Sequence, residues 1–154
     1  MIDVLKTEPL FVMRLDVGYP RAVHLGSPFE HGRSVFPVEG GTISGERVNG
    51  TVVGGADWVT WRDDGAMIID VRITAKTDDG ASIGLVYEGL AHADDETMRR
   101  FRGRELLGAD EVYTRTTIRF ETSHTSYAWL NSIIAIGKGM RTAEGPVYHV
   151  FEIK

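Results

Sequence analysis

The stretch MIIDVRITAKT at 67–77, with the turn DDGA at 78–81 and the answering stretch SIGLVYEGLA at 82–91, decides the fold class. In the first stretch apolar side chains alternate with polar ones, and this period of two is typical of a β-strand with one buried face. Asp79-Gly80 supplies the residue types that tight hairpin turns need. These residues predict two long antiparallel strands joined by a hairpin.

Further short apolar segments are separated by Gly and Asp, as in all-β domains. We interpret them as strands at 10–17, 35–38, 42–43, 47–53, 58–61, 111–122, 126–136 and 147–153. Gly40-Gly41 is interpreted as a bulge or tight bend, Gly54-Gly55 as the end of a strand, and 26–32 as a loop. Roughly nine strands at this spacing favour a sandwich or barrel over a parallel sheet, which needs crossover helices.

One segment, 94–102, has the composition of a helix. Asp94 is a candidate N-cap, acids follow at Asp95 and Glu96, and the last turn is basic. Gly103 is placed to end the helix. We expect one short helix that covers an end of the barrel.

The composition is that of a single globular domain over 1–154, with 42% hydrophobic and 25% charged residues. The formal charge of −5, with scattered Lys and Arg, argues against a nucleic-acid partner, which needs a basic stripe. No stretch approaches the roughly 20 apolar residues of a membrane span, and no signal peptide is evident. Because the chain has no Cys, we expect no disulfide framework and a cytoplasmic location. A homo-oligomer is compatible with the sequence.

Neither a metal nor a cofactor is predicted. The histidines lack the His-x-His and HExxH spacings of common metal sites; they are His24, His31, His92, His124 and His149. The stretch Gly137-Lys138-Gly139 lacks the remainder of a Walker motif and its helix, and no GxSxG motif occurs. Without a metal site, a nucleophile motif or a nucleotide-binding loop, the chemistry that remains available is acid–base catalysis by carboxylates and Tyr.

Asp70 and Arg72 share one face of the 67–77 strand, where they could pair or hold a polar ligand together. In a sandwich such a polar face would simply be solvated, whereas a barrel interior carries polar anchors for a ligand. We expect Arg72 to point inward and to pair with Asp70 or Glu121. A buried guanidinium without a partner would cost several kcal/mol.

The densest local signal is the stretch Gly54-Gly55-Ala56-Asp57-Trp58. Two Gly residues let the backbone turn sharply, and a Trp beside an acid can hold a carboxyl group in a dry setting that raises its pKa. We expect Asp57 and Trp58 to lie at the mouth or wall of a pocket. The alternative is a core Trp next to an Asp that caps a turn.

The sequence resembles a bacterial and fungal family of small uncharacterised proteins, known as a domain of unknown function, over nearly its whole length. The resemblance rests on Gly40-Gly41-Thr42, Gly54-Gly55-Ala56-Asp57-Trp58, Asp70-Val71-Arg72, Asp78-Asp79-Gly80-Ala81, Tyr113-Thr114-Arg115, Phe120-Glu121-Thr122 and Tyr127-Ala128-Trp129-Leu130-Asn131. It implies a closed or nearly closed antiparallel barrel, similar in shape to the allene oxide cyclase and calycin barrels. It implies no reaction, because fold does not fix function.

The leading hypothesis is a barrel that binds a small organic molecule and catalyses a cofactor-free, isomerase- or lyase-like proton transfer. Asp57 or Glu121 would move the proton, and Arg72 or Arg115 would stabilise an oxyanion. The expected ligand-binding residues are Trp58, Asp70, Tyr87, Tyr127, Trp129 and Asn131. The alternatives are a non-catalytic binding barrel and an oligomerising structural module.

Overall fold

The computed structural model describes residues 1–26 and 32–154, and these form nine β-strands, one α-helix and two 3₁₀ segments. The strands are β1 (Thr7–Val17), β2 (Val23–Gly26), β3 (Gly32–Ser44), β4 (Gly50–Trp61), β5 (Met67–Thr77), β6 (Ser82–His92), β7 (Tyr113–Glu121), β8 (Ala135–Arg141) and β9 (Pro146–Ile153). The helix α1 spans Asp95–Arg102, and the 3₁₀ segments are Tyr19–Arg21 and Thr125–Ser132. Most of the predicted 26–32 loop, including His31, lies outside the described residues.

Eight of these strands close into an antiparallel barrel. From β3 to β9 each strand pairs with the next one along the chain, β9 pairs with β1, and β1 pairs with β3, which closes the ring. The short strand β2 pairs with the first part of β3 and stands outside the ring. The predicted all-β, antiparallel barrel is therefore confirmed, and the predicted β5–β6 hairpin is matched to within one residue at each end.

Inward-facing side chains pack the middle of the barrel. Met13, Ile69, Leu85 and Ile118 come from four different strands, and each is at most 1% exposed. They alternate with outward-facing neighbours, as the pleat of a strand requires. Burying an aliphatic side chain of this size contributes about 1.5–3 kcal/mol, so this apolar interior stabilises the ring of strands.

Three β-bulges in the ring change which side chains point inward. They lie at Leu10 in β1, at Glu39 in β3 and in β4, where Val53 is the extra residue between Val52 and Gly54. A bulge adds one residue to a strand and so reverses the alternation beyond it. In β4 the even-numbered Val52 is buried before the bulge, and after it odd-numbered residues such as the buried Val59 face inward.

Glycine is required beside the bulge in β4. Gly55 has a φ of +152°, and a Cβ atom there would lie 2.1 Å from the carbonyl oxygen of Arg72 on β5. Gly41 in β3 has a φ of +143°, and a Cβ there would lie 2.0 Å from the Arg14 carbonyl oxygen. The prediction that Gly54-Gly55 ends a strand is wrong, because this pair carries β4 through its bulge.

The helix α1 lies at one end of the barrel, between the end of β6 and the start of β7. The Asp94 carboxylate accepts a hydrogen bond from the Thr97 N–H at 2.8 Å, which confirms the predicted N-cap. Buried Met98 and Phe101 fix the helix on the barrel. The left-handed residue after the helix is Arg104, with a φ of 60°.

The 3₁₀ segment Thr125–Ser132, called here the floor segment, closes the opposite end. It joins β7 to β8, and its Leu130 is 1% exposed. The prediction of a strand at 126–136 is wrong, since only its last two residues belong to β8. Within the described ranges, no helix is long and apolar enough to cross a membrane.

Candidate functional site

A cavity of 440 Å³ opens at the α1 end of the barrel. Its walls are largely apolar, and several strands contribute to them; the apolar side chains from β3, β4 and β5 include Phe36, Val59, Trp61, Met67 and Ile69. Small-molecule sites typically measure about 300–1,000 Å³ and combine apolar walls with a few polar groups. The cavity therefore has the size and lining of a site for a small organic molecule.

The Asp57 side chain enters this cavity because of the bulge in β4. Beyond Val53 the odd-numbered residues face inward, so Asp57, Val59 and Trp61 all line the cavity. One carboxylate oxygen of Asp57 accepts a hydrogen bond from the Asp70 N–H on β5, with an N–O distance of 3.3 Å. Asp57 is the one carboxylate among the described residues that line the cavity.

The apolar surroundings change the acidity of Asp57. Removal of its carboxyl from water is the main cause that raises the pKa from 3.8 to about 7, and the negative charge of the Asp70 carboxylate also raises it, while the Asp70 N–H and the Arg141 guanidinium lower it. Near neutral pH the group is present in both its protonated and ionised forms. It is thus suited both to give and to take a proton.

Three tyrosines lie near this carboxyl. Tyr19 and Tyr148 line the cavity, and Tyr87 packs beneath it with its ring 5.5 Å from that of Tyr148. Burial raises the pKa of all three hydroxyls, so each stays protonated at neutral pH and can donate a hydrogen bond. The Tyr87 hydroxyl is buried and has no hydrogen-bond partner among the described residues.

Two glycines of β8 make room for Tyr148. A Cβ atom at Gly137 would lie 2.4 Å from the Thr116 Oγ1 atom and 3.2 Å from the Tyr148 ring, and one at Gly139 would lie 2.7 Å from that ring. The Gly137-Lys138-Gly139 stretch is therefore part of a strand wall that accommodates an aromatic side chain. The need for space beside the Tyr148 ring explains why glycines stand at 137 and 139, where the sequence only superficially resembles a phosphate-binding loop.

Four arginines also line the cavity. Arg33 lies near the outward-facing Asp70 carboxylate, and each of the other three has its guanidinium over an aromatic ring of the lining. The distance from the guanidinium carbon to the ring centroid is 4.6 Å for Arg102 over Trp61, 5.0 Å for Arg104 over Tyr19 and 3.6 Å for Arg141 over Phe101. Arg141 also donates a hydrogen bond to the Phe101 carbonyl oxygen. Burial lowers the pKa of Arg141, although it remains a cation at neutral pH.

Several predicted site residues lie on the outer surface instead. Trp58 is 43% exposed, because adjacent residues of a strand point to opposite faces and Asp57 takes the inner one. The prediction that Arg72 points inward is wrong, since the alternation of β5 places it on the exposed outer face. Glu121 and Arg115 likewise belong to the outer face of β7, where the Arg115 guanidinium lies over the Tyr113 ring.

Asp70 also points outward. Its carboxylate lies 3.8 Å from an Arg33 nitrogen, and both side chains are more than 40% exposed. Its backbone N–H, in contrast, bonds to Asp57 in the site. Its contribution to the cavity therefore comes from the main chain.

The predicted ligand residues Tyr127, Trp129 and Asn131 lie on the floor segment, at the closed end of the barrel. The Tyr127 hydroxyl donates to an Asp79 carboxylate oxygen at 2.8 Å, and the Arg47 guanidinium lies 4.4 Å from the Trp129 ring centroid. The Asn131 side-chain amide accepts a hydrogen bond from the N–H of Thr122, the residue after β7, and donates one to the carbonyl oxygen of the same residue. All three side chains hold the floor in place, away from the cavity.

The sequence reasoning missed Tyr19, Arg104, Arg141 and Tyr148. Only Tyr148 could have been identified from the sequence. It lies two residues from the apolar Val150 in a predicted strand, so both side chains are expected on the same, inward face. The other three lie beside turns, where alternation ends. Among residues 1–26 and 32–154, no group of three His, Cys, Asp or Glu side chains is arranged to hold a metal ion.

Sequence and structure comparisons identify similar proteins. The sequence pattern of a family of proteins of unknown function, DUF3237, matches residues 5–153. A UPF0311 protein of Rhodopseudomonas palustris is 28% identical over 155 residues, which cover 99% of each chain. A crystal structure of a conserved protein of unknown function from that species gives a TM-score of 0.92, with both chains covered completely. A beta-barrel like protein of Acinetobacter baumannii gives 0.86 at 32% identity, over 100% of this chain and 99% of that one.

One similar protein carries a reaction in its name. A hydroalkoxylation enzyme of Penicillium herquei is 32% identical over 105 residues, which are 68% of this chain and 56% of that protein. The crystal structure of an enzyme from the same fungus gives a TM-score of 0.76 at 23% identity, over 100% of this chain and 98% of that one. At that identity the superposition shows a common fold and no more.

Proposed function

Since this chain belongs to the DUF3237 family of uncharacterised proteins, whose name assigns no reaction, we propose from its own cavity that it is a cofactor-independent enzyme of proton transfer. Its substrate is a small organic molecule bound at the α1 end of the barrel. Asp57 is the catalytic acid–base residue. The observation that carries the proposal is one carboxyl, Asp57, among the described residues that line a largely apolar cavity, with its pKa raised to about 7.

The surroundings of Asp57 suit a proton donor and acceptor. A general acid–base group works best when its pKa lies near the operating pH, and such a group contributes roughly 10²–10⁴-fold to the rate. Tyr19, Tyr148 and Arg141 also line the cavity. These are donors that stabilise negative charge on a substrate oxygen.

Internal addition of a hydroxyl group to an alkene is one reaction that this set of groups supports. Protonated Asp57 gives its proton to one alkene carbon, while the substrate oxygen forms a bond to the other carbon. The oxygen then loses its proton, which returns to Asp57. The π bond is consumed, a C–O bond and a C–H bond form, and no electron acceptor or donor is needed.

The similar hydroalkoxylation enzyme of Penicillium herquei supports this choice among proton-transfer reactions, because its name describes the addition of an O–H group across a double bond. Migration of a double bond next to a carbonyl group requires the same acid–base residue and is the second reaction to examine.

The experiment measures uptake of solvent deuterium. The protein is incubated in D₂O with ortho-allylphenol and, separately, with a β,γ-unsaturated cyclic ketone, and mass spectrometry follows deuterium in the isomeric product. We expect incorporation with the native protein and a loss of about 100-fold or more in Asp57→Asn. Asp70→Asn is the matched control, because it removes a carboxylate from the outer face of the adjacent strand, and it should retain the activity.

Two outcomes would contradict the proposal. Equal incorporation in the native protein and Asp57→Asn would show that another group moves the proton. Binding of both compounds without incorporation would favour a ligand-binding barrel, for which the apolar cavity is equally suitable.

A further inference from the structure

Three cationic side chains of the cavity are not neutralised by carboxylates. Arg102, Arg104 and Arg141 line the cavity, and none of the three forms an ion pair with a carboxylate of residues 1–26 or 32–154. The lining carboxyl, Asp57, carries only part of a negative charge near neutral pH. The described part of the cavity lining is therefore cationic, whereas the formal charge of the chain is −5.

Five arginines outside the cavity form ion pairs with carboxylates; these pairs are Arg21–Glu39, Arg47–Glu152, Arg62–Asp64, Arg99–Glu96 and Arg100–Glu105. A fourth arginine of the cavity lining, Arg33, lies 3.8 Å from the Asp70 carboxylate on the outer face. Some arginines on the outer surface, such as Arg72, form no ion pair with the described carboxylates, so what distinguishes Arg102, Arg104 and Arg141 is that three unpaired guanidinium groups line one cavity.

Arg102, Arg104 and Arg141 are held in place by aromatic rings instead. Each guanidinium lies within about 5 Å of a ring centroid, at the distances given above, and this is the range of a cation–π contact. Such stacking orients a guanidinium but leaves most of its N–H donors free. Arg141 is partly buried, so removing it from water has a cost that an anion in the cavity would offset.

We propose that the cavity binds an organic acid, with its carboxylate held by Arg141 and Arg104 and its aromatic or other apolar body against Trp61 and Phe36. This inference rests on the proposed function, since it names the substrate class of the same site. Arg102 lies at the mouth, on α1, and attracts the anion. Asp57 faces the apolar body, where a proton is to be moved.

Calorimetric titration with naphthoate and with neutral naphthamide tests the inference. The two probes have the same ring system and nearly the same size, and only the first carries a charge. We expect naphthoate to bind at least tenfold more tightly, which corresponds to about 1.4 kcal/mol and is what a charge-assisted hydrogen bond contributes. Equal affinity for the two probes would overturn the inference.

Arginine variants locate the carboxylate. Arg104→Met and Arg141→Met should each weaken naphthoate binding about tenfold and leave naphthamide binding unchanged. Arg72→Met removes the same charge from the outer face and should change neither affinity. If Arg141→Met does not fold, Arg104→Met decides alone, because that side chain is exposed. If Arg104→Met and Arg72→Met weakened naphthoate binding equally, only the net charge of the protein would matter for affinity, and the proposed carboxylate site would be wrong.

The Asp57→Asn variant separates this inference from the proposed function. It should lose proton transfer but bind naphthoate at least as tightly as the native protein, since a negative charge has left the cavity. Native proton transfer together with equal affinity for naphthoate and naphthamide would reject the organic-acid inference alone. Selective naphthoate binding with no proton transfer would reject the proposed enzyme and retain the anion site.

Discussion

Asp57 is a carboxyl group that the fold places where its charge is disfavoured. Its pKa is 3.8 in an ordinary setting and about 7 in the cavity. The folded state is therefore more stable, relative to the unfolded chain, when this carboxyl group is protonated. The favourable contribution is complete below about pH 4, is lost as the pH rises, and has gone above about pH 7.

This linkage predicts the response of stability to Asp57→Asn. The amide has nearly the same shape and never ionises, so the variant should unfold with a free energy higher by up to roughly 4 kcal/mol near pH 8 and nearly unchanged near pH 4. Urea denaturation at the two pH values measures the difference. Asp70→Asn is again the control, and a stabilisation of equal size in both variants would mean that the cavity is not responsible.

The same residue shows how far the sequence could predict the site. Glycines followed by an acid and a Trp led to the expectation that Asp57 and Trp58 both lie at the mouth or wall of a pocket; Asp57 lines the cavity, whereas Trp58 lies on the outer surface. The stretch did not indicate which of the two neighbours, Asp57 or Trp58, points inward, because that depends on the bulge at Val53. An unpaired extra residue has no signature of its own in the pattern of apolar and polar residues.

Gly55 lets the strand β4 pass close to β5 beyond that bulge. In Gly55→Ala the new Cβ would meet the Arg72 carbonyl oxygen at 2.1 Å, and the two strands would have to separate. We expect the free energy of unfolding to fall by roughly 3 kcal/mol. Thermal and urea denaturation measure this loss.

Gly84→Ala in β6 is the matched control for a strand glycine. There the nearest atoms to a new Cβ are at 3.7 Å, an ordinary contact distance. This variant should stay within about 1 kcal/mol of the native protein, or gain slightly, because Ala restricts the unfolded chain more than Gly does. Comparable destabilisation by both substitutions would contradict the close approach at Gly55.

Among the elements, those with a strict period and a marked turn could be predicted. The β5–β6 hairpin has regular alternation and an Asp-Gly turn, and α1 has a cap and an apolar face of Met98 and Phe101. The floor segment has neither a strict period nor a marked turn. Its apolar side chains Tyr127, Trp129 and Leu130 follow no single period, and tertiary packing of Leu130 under the barrel decides its conformation.

At the scale of the whole molecule, the two ends of the barrel differ in structure: one end is closed and the other is open. The floor segment fills one end with Leu130, while the other end retains a cavity between α1 and the strands. Alternation along single strands cannot reveal this difference, because both ends contribute inward-facing positions. The resemblance to known barrels correctly indicated a closed ring, but the site residues at its open end come from turns and strand ends that only the folded chain brings together.

The ring is completed by its first and last strands, and this has a consequence for how the chain folds. Thr7 on β1 pairs with Ile153 on β9, across almost the full length of the sequence. Contacts so distant along the chain slow folding, since the loop between them must close before the pairing contributes. We expect a chain that stops after residue 145, without β9, to expose unpaired strand edges and to aggregate instead of folding. Circular dichroism and size-exclusion chromatography test this, and a monomeric, cooperatively melting fragment would contradict it.

During synthesis the same constraint acts on every copy of the protein. Strands from β1 to β8 leave the ribosome before the strand that closes the ring, and the edges of β1 and β8 lack a partner until it arrives. The period of greatest exposure to aggregation is therefore set by the ribosome's rate of elongation as well as by the chain's own folding rate.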